Sequence, residues 1–320
     1  MQSAEIDAVA GALGQKVTAT RTLAGGFSHE TCLLTVSGDQ LVARLGGSDP
    51  AIEAAVMATA RLHVPVPKVL TVVPPTDKGS RPAMILEHMD GTPLSEVLAA
   101  EKPGGKAMRA LGAEVGRVVA AIGAATFERP GFFADEKLTV GEQPPWSQQL
   151  AEMAASCMED TPVSRLDPGT RKTWSELCAA HAPALAAIDG QARLVHADAN
   201  PKNILVTRLR SGWRVDAMLD WEFSFSGSPY ADTGNMLRFS TGYPAGFADG
   251  FRAGFAEHQP GGFPLADNWA YLGRVFDMFA LSDLVTRPEG HEVADQAAEV
   301  IRQWVREGVP DTPRRGQGRV

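Results

Sequence analysis

Residues 194–206 read LVHADANPKNILV, and this stretch decides how the rest of the chain is interpreted. An apolar pair at 194–195 leads into a polar loop, and a second apolar run at 204–206 follows it. A loop held between two buried strands keeps its polar side chains in fixed directions. The pattern therefore predicts that Asp198 and Asn203 are positioned for chemistry.

A second carboxylate, Asp220, ends another apolar run, since residues 217–222 read AMLDWE. Phosphoryl transfer needs a hard cation that neutralises phosphate oxygens, and a separate carboxylate that orients the acceptor hydroxyl and takes its proton. Mg²⁺ prefers oxygen ligands, which an Asn and an Asp supply. We therefore assign Asp198 to the acceptor hydroxyl, and Asn203 and Asp220 to Mg²⁺.

The first ninety residues favour a sheet. One helix is predicted at 3–13 and a second at 50–62, where Asp49 and Pro50 form a typical helix start. Short runs rich in Val, Thr and Leu predict five strands, at 17–23, 31–36, 40–45, 69–73 and 83–88.

After Asp90-Gly91 the pattern becomes mostly helical. We expect one short β segment within it, made of 193–195, 204–206 and 215–219. The fold class is therefore α+β, with two lobes: a five-stranded antiparallel sheet with one inserted helix at 1–90, and a helical lobe at 91–320 that carries the catalytic loop and the acceptor site.

The motif His196-x-Asp198-x-x-x-x-Asn203, followed by Asp220-Trp221-Glu222, resembles the catalytic and metal motifs of the aminoglycoside phosphotransferase and choline kinase-like superfamily. These enzymes are small-molecule relatives of the eukaryotic-type protein kinases, and the resemblance covers most of the chain. It implies a bilobal protein-kinase-like fold, with ATP, or alternatively GTP, as phosphate donor and Mg²⁺ as cofactor.

The same resemblance extends to the predicted sheet. Residues 25–31, GGFSHET, match the nucleotide-binding turn, whose backbone N–H groups would cover phosphate oxygens. Arginine stands at position 44, where lysine is the familiar choice, and it keeps the charge but not the geometry. The nucleotide contacts that the resemblance implies are Gly26, Ser28, Arg44, Glu53, Glu87 and Met89.

Four more residues receive roles. His196 is expected to hold the loop through hydrogen bonds, and Asp232 resembles the residue that steadies the catalytic loop in the family. Glu222 and Asp277 are candidates for contact with the acceptor, because Glu222 follows the metal motif and Asp277 lies in a late helix where the family builds its acceptor pocket.

Composition narrows the function classes. The 320 residues carry a net charge of −8, which argues against a nucleic-acid partner. The three cysteines show no CxxC spacing, so neither a zinc site nor a disulfide framework is predicted. No signal peptide and no membrane-spanning run is recognised. We expect a cytoplasmic monomer or homodimer that binds a small-molecule acceptor.

These motifs do not identify the acceptor. An aminoglycoside or another hydroxylated antibiotic would make the chain a resistance or self-protection enzyme, and the acidic balance slightly favours a polycation. Choline, an amino alcohol, a sugar or a nucleoside would make it a metabolic kinase. A third alternative is an inactive nucleotide-binding pseudokinase. A protein kinase is disfavoured, because no Asp-Phe-Gly and no Ala-Pro-Glu occurs.

Overall fold

A computed structural model describes residues 1–23, 29–47, 49–75, 81–100 and 104–313. The first part of the chain forms an antiparallel five-stranded sheet with the order β1-β2-β3-β5-β4. Its strands are β1 (Val17–Thr22), β2 (Glu30–Val36), β3 (Asp39–Leu45), β4 (Val69–Val73) and β5 (Ala83–Glu87). The structure confirms the predicted five-stranded sheet and the α+β class.

The described helices alternate with short strands after the sheet. They are α1 (Ser3–Leu13), α2 (Pro50–Ala60), α3 (Leu94–Ala99), α4 (Gly105–Ile122), α5 (Trp146–Asp160), α6 (Pro168–His181), α7 (Tyr230–Leu237), α8 (Phe247–Glu257), α9 (Trp269–Leu284) and α10 (Glu292–Glu307). Asp49 caps α2 by accepting from the amides of Ala51 and Ile52, which agrees with the predicted start. Among these helices, none is long and apolar enough to cross a membrane.

The expectation of one β segment in the helical part is wrong. Two small three-stranded sheets are present, with the orders β10-β9-β6 and β7-β11-β8. Their strands are β6 (Thr92–Pro93), β7 (Gly131–Phe132), β8 (Arg193–Val195), β9 (Ile204–Leu209), β10 (Gly212–Met218) and β11 (Phe225–Gly227). The sequence does not predict β6, β7 and β11, because a run of two or three residues shows no readable alternation of apolar and polar residues.

The core has two parts. One face of the five-stranded sheet packs on α1 through buried side chains such as Val9, Leu34 and Ile85. The other face packs on α2, and its buried Met57 and Met84 belong to the same cluster as the core of the helical part. The loop between β8 and β9, which carries Asp198, therefore starts and ends on strands anchored in this larger cluster.

Helices α4 and α8 pack with their backbones almost in contact. A Cβ atom added at Gly112 would stand 2.1 Å from the carbonyl oxygen of Phe247, and one added at Gly254 would stand 2.1 Å from that of Ala113. Only glycine fits at such a distance.

The predicted boundary between the two lobes lies near residue 90. The last strand of the five-stranded sheet ends at Glu87, and the next strand, β6, pairs with β9 of the second part. The division at residue 90 stays a prediction.

Candidate active site

The carboxylate of Asp198 is held by two amide side chains. Asn200 Nδ2 donates to Asp198 Oδ1 at 2.8 Å, and Asn203 Nδ2 donates to Asp198 Oδ2 at 2.7 Å. Asn200 also caps the short 3₁₀ turn Pro201–Asn203 by accepting from the amide of Lys202 at 2.8 Å. Both oxygens of Asp198 are thus fixed in direction before any substrate arrives, as a preorganised site requires.

Burial raises the pKa of Asp198 to about 6, although the hydrogen bond from Asn200 and the positive charge of Arg238 oppose this shift. A carboxylate with this pKa is ionised at neutral pH and lies close to the proton affinity that a general base needs. The local environment therefore suits Asp198 to accept the proton of a hydroxyl group.

His196 lies behind this loop with no exposed surface. Its Nδ1 accepts from the backbone amide of Asp198 at 3.2 Å, and its Nε2 lies 2.9 Å from the carbonyl oxygen of Leu219. These two contacts fit the neutral tautomer with the proton on Nε2. Burial lowers the pKa of His196 to about 4, so the ring is uncharged. The geometry is that of a group that joins the two loops, not of a base.

Asp232, at the start of α7, faces the other side of the loop. Its two oxygens accept from the amide of His196 at 3.0 Å and from the amide of Ala197 at 2.8 Å. Burial raises the pKa of Asp232 to about 7, against the effect of these two bonds. The contacts are those expected of a loop anchor, and the functional role of Asp232 stays a prediction.

The backbone is strained at Ala197, next to Asp198, and at Asp220 itself. Ala197 has φ +66° and Asp220 has φ +65°, both in the left-handed region that residues other than glycine rarely adopt. Such conformations persist where the surroundings impose them, and they cluster at functional sites. Here the surroundings include the Asp232 contacts and the bond from the Leu219 amide to the Asn203 carbonyl oxygen at 2.8 Å.

Arg44, on β3, joins the sheet to the catalytic region. Its Nη1 pairs with Glu53 Oε1, and its Nη2 lies 2.5 Å from Asp220 Oδ1. Glu53 Oε1 also accepts from the amide of Trp221 at 3.1 Å. Burial would lower the pKa of Arg44, but the charges of Glu53 and Asp220 outweigh it and raise the pKa. Arg44 therefore stays cationic between the sheet and the loop after β10.

Two side chains, His29 and Glu222, lie close to the carboxylate of Asp220. One ligand atom each from His29, Asp220 and Glu222 lie within 4.8 Å of one another. His29 Nδ1 is 3.6 Å from Glu222 Oε2 and 3.0 Å from Arg44 Nη2. Burial, and then the charge of Arg44, lower the pKa of His29, so its ring is neutral at neutral pH.

The donor atoms here fit Mg²⁺. The Nδ2 atom of Asn203 donates to Asp198, and its amide oxygen is the atom suited to a cation. Asp220 keeps a second carboxylate oxygen beside the one that accepts from Arg44. These hard oxygen donors match the preference of Mg²⁺, and the carboxylate of Glu222 adds another close to Asp220.

The predicted catalytic residue and the two predicted metal ligands border one cavity. A space of about 490 Å³ is lined by Asp198, Asn203 and Asp220, and also by Glu222. The structure thus brings together the residues that the motifs singled out. Their separate roles in catalysis and metal binding stay predictions.

The predicted nucleotide contacts are only partly described. Gly26 and Ser28 lie outside the residues that the structure describes. Glu87 donates its amide to the carbonyl oxygen of Lys68 at 3.0 Å, so a base edge would have to meet its carbonyl oxygen. Arg44, Glu87 and Met89 do not border the cavity at Asp198. The positions fit the expected hinge and strand, and the contacts stay predictions.

The predicted acceptor residues differ in setting. Glu222 lies at the metal end of the cavity, beside Asp220 and His29. Asp277, on α9, is 1% exposed and lies 2.5 Å from Arg238 Nη2. Its charge is therefore compensated inside the protein, and any contact with an acceptor would involve the pair rather than a lone carboxylate.

Sequence reasoning missed three polar residues around Asp198. Asn200 lies within the stretch 194–206, and an asparagine directly before Pro201 is a recognisable N-cap for the turn. Asn235 and Arg238, which border the cavity from α7 and its C-terminal end, carry no local signal of this kind. They reach the site only through the packing of α7 against α9.

Two solved structures of aminoglycoside phosphotransferases have a similar fold. A ternary complex of a thermostable mutant of aminoglycoside phosphotransferase APH(4)-Ia with ADP and hygromycin B superposes with a TM-score of 0.69, at 18% identity over 96% of this chain and 99% of that one. The GDP complex of wild-type aminoglycoside 2'-phosphotransferase-IIIa gives a TM-score of 0.66, at 16% identity over 95% of this chain and 99% of that one. At such identities the likeness shows the fold, which is the kinase-like bilobal fold that was predicted.

The sequence itself identifies the family. Residues 19–266 match the sequence profile of the phosphotransferase enzyme family, which is well over half of the 320-residue chain. The chain belongs to this family, and the predicted class of enzyme is thereby confirmed. No curated protein sequence matches the chain significantly.

Proposed function

We propose that this enzyme transfers the γ-phosphoryl group of ATP to a hydroxyl group of a small molecule. The observation that carries the proposal is the meeting of Asp198, Asn203 and Asp220 on one cavity, with both Asp198 oxygens held by amide donors. Family membership and the nucleotides bound by the similar structures support a nucleoside triphosphate as donor.

In this proposal Asp198 orients the acceptor hydroxyl and takes its proton. Bound Mg²⁺ would neutralise charge on the phosphate oxygens, with Asn203 and Asp220 as its protein ligands. Arg44 contributes a positive charge beside Asp220, and Glu53 holds Arg44 in place. Catalysis would come mainly from positioning and from compensation of charge.

Among acceptors, we favour a hydroxylated antibiotic. The support is that similar structures are aminoglycoside phosphotransferases, one of them with hygromycin B bound. The net charge of −8 slightly favours a polycationic acceptor, but it describes the whole chain and not the cavities. The lining of the cavities beside Asp198 bears on this choice directly.

The test is ADP release from Mg²⁺·ATP by the wild type and by Asp198→Asn, with nucleotide affinity measured separately by calorimetry. We expect the variant to bind ATP as the wild type does and to lose turnover by about 10²–10⁴-fold. Unchanged ADP release in Asp198→Asn would remove Asp198 from the reaction. Nucleotide binding without any turnover in the wild type would instead favour a pseudokinase.

A further inference from the structure

A second cavity opens on the other side of Asp198. Its volume is about 460 Å³, and the two cavities share Asp198, Phe223, Asn235, Arg238, Leu284 and Arg287. Its walls come from β7, β11, α5, α7, α9 and the loop before β11, and they carry six aromatic side chains: Phe132, Trp146, Phe223, Phe225, Phe276 and Phe279. We call this space the aromatic cavity.

Five of the six rings of the aromatic cavity, all except Phe223, form one connected wall. Trp146 stands at its centre, with ring centroids 5.1 Å from Phe225, 5.3 Å from Phe276 and 5.9 Å from Phe279. Phe225 and Phe276 are stacked at 5.8 Å with an interplanar angle of 11°. Because these five rings contact one another, this part of the wall offers an apolar surface that loses little freedom when a ligand binds.

Two of these rings face solvent. Phe132 is 55% exposed and Phe223 is 49% exposed, and they are the largely exposed aromatic side chains within the part of the chain that the structure describes. Both border the aromatic cavity. Exposed aromatic surface gathered at one opening marks a binding site for an apolar group.

The charged groups of the aromatic cavity are paired. Asp277 contacts Arg238 at 2.5 Å, and Asp283 contacts Arg287 at 2.8 Å. The third carboxylate on this wall is Asp198, which the proposed reaction uses. A polycationic ligand needs carboxylates without such compensation, and here it would also meet two guanidinium groups.

Two buried polar atoms on this wall have no hydrogen-bond partner among the described residues. They are the indole Nε1 of Trp146, a donor, and the amide Oδ1 of Asn235, an acceptor. A buried polar group without a partner is costly, so the polar groups of this wall are incompletely satisfied. The surface that the cavity presents is mainly apolar, and a matching ligand is therefore mainly apolar with few polar atoms.

We propose that the acceptor is an amphipathic alcohol with an aromatic or polycyclic body. The body fills the aromatic cavity, the hydroxyl group reaches Asp198, and a polycationic aminosugar is excluded. This inference rests on the proposed kinase activity. In the reaction the alcohol oxygen forms a bond to the γ-phosphorus, the bond from that phosphorus to the bridging oxygen of ATP breaks, Asp198 takes the alcohol proton, and ADP leaves.

The experiment compares three probes in the presence of Mg²⁺·ATP: 4-phenylbutan-1-ol, 4-(2-naphthyl)butan-1-ol and the polycation tobramycin. Binding is measured by calorimetry with a non-hydrolysable ATP analogue, and transfer is measured by ADP release. We expect the naphthyl probe to bind about tenfold tighter than the phenyl probe, because it buries more apolar surface. We expect tobramycin neither to bind nor to increase ADP release.

Variants locate the binding. Phe279→Ala and Phe132→Ala remove partly exposed rings of the aromatic cavity, so both are expected to fold, and each should weaken binding of the naphthyl probe by about tenfold. Val163→Ala is the control, since it shortens an apolar side chain that is 62% exposed and lies outside both cavities. It should leave affinity unchanged.

Three results would overturn the inference while leaving the kinase proposal intact. The first is stimulation of ADP release by tobramycin. The second is failure of both arylalkanols to bind, and the third is binding that neither phenylalanine substitution affects. In each case ADP release that depends on Mg²⁺ and on Asp198 would still support the kinase. Loss of that dependence would overturn the kinase proposal itself.

Discussion

The two sides of Asp198 are built in opposite ways. Towards the metal-binding candidates, the oxygens of Asp198 are held by Asn200 and Asn203, and the loops are joined by further hydrogen bonds. Towards the aromatic cavity, rings stand open to solvent and the buried polar atoms of Trp146 and Asn235 lack partners among the described residues. On the first side the Asp198 carboxylate is already held by hydrogen bonds, whereas the second side offers an open apolar surface.

This contrast separates the chemistry from the choice of acceptor. Preorganised polar groups serve a reaction that many related enzymes share, while the cavity beside them decides which molecule is admitted. If this division is correct, substitutions on the polar side should change turnover or stability, and substitutions on the aromatic side should change affinity for the acceptor.

After Asp198→Asn, the largest expected effect is that of Asn203→Ala. This change removes a hydrogen bond to Asp198 and the amide oxygen assigned to Mg²⁺, so we expect kcat to fall by about 10²–10³-fold. Asn200→Ala is the matched variant, because it removes only a hydrogen bond to Asp198 and should cost about tenfold. Equal losses in the two variants would argue against a metal role for Asn203.

A large effect on stability is expected from Arg44→Met. The variant leaves the buried Glu53 without its partner and Asp220 without compensation, which should lower the free energy of unfolding by about 3 kcal/mol in urea denaturation. Arg117→Met is the control, since Arg117 pairs with Glu114 at 2.8 Å but is 46% exposed, and it should cost below about 1 kcal/mol. Similar losses would mean that the buried ion pairs of Arg44 contribute no more to stability than an exposed pair.

A smaller effect is expected in the pH dependence. Because burial raises the pKa of Asp198 to about 6 and an ionised Asp198 is required, kcat/KM should decline as the pH falls through about 6. The charge of Arg238 keeps this pKa from rising further.

Removing that charge should therefore move the acidic limb of kcat/KM to higher pH. The double variant Arg238→Gln/Asp277→Asn avoids leaving a buried charge without a partner. An acidic limb that stays in place or moves to lower pH would contradict the electrostatic account of Asp198.

The smallest effect is expected at the rim of the aromatic cavity. Asp283 and Arg287 pair at 2.8 Å, with their side chains 48% and 47% exposed. Solvent weakens such a pair, so Asp283→Asn should change the free energy of unfolding by less than about 1 kcal/mol. Thermal unfolding in low and high salt checks this, and a clearly larger loss would show that the rim is part of the stable core.

The polar side was the part that sequence could predict. The spacing of Asp198 and Asn203 and the apolar runs on either side are local features, and the five strands of the sheet show readable patterns. The pairing of Arg44 with Asp220 is different, because it joins residues that are far apart in the chain. No local pattern encodes such a contact, so the sequence does not predict it.

The aromatic side could not be predicted. Strands β7 and β11, which bring Phe132 beside Phe225, have two and three residues, too few for periodicity to appear. Trp146 and Phe276 come from α5 and α9, where an aromatic residue reads as an ordinary core position. Only the packed structure shows that these rings line a space beside Asp198.

The central claim is that Asn203 and Asp220 hold one divalent cation beside Asp198. Electron paramagnetic resonance of Mn²⁺ in the presence of ATP measures this most directly, with Asp249→Asn as an exposed control. We expect Asn203→Ala and Asp220→Asn each to weaken Mn²⁺ binding by at least about tenfold, and the control to leave it unchanged. Equal Mn²⁺ affinity in all four proteins would contradict the account.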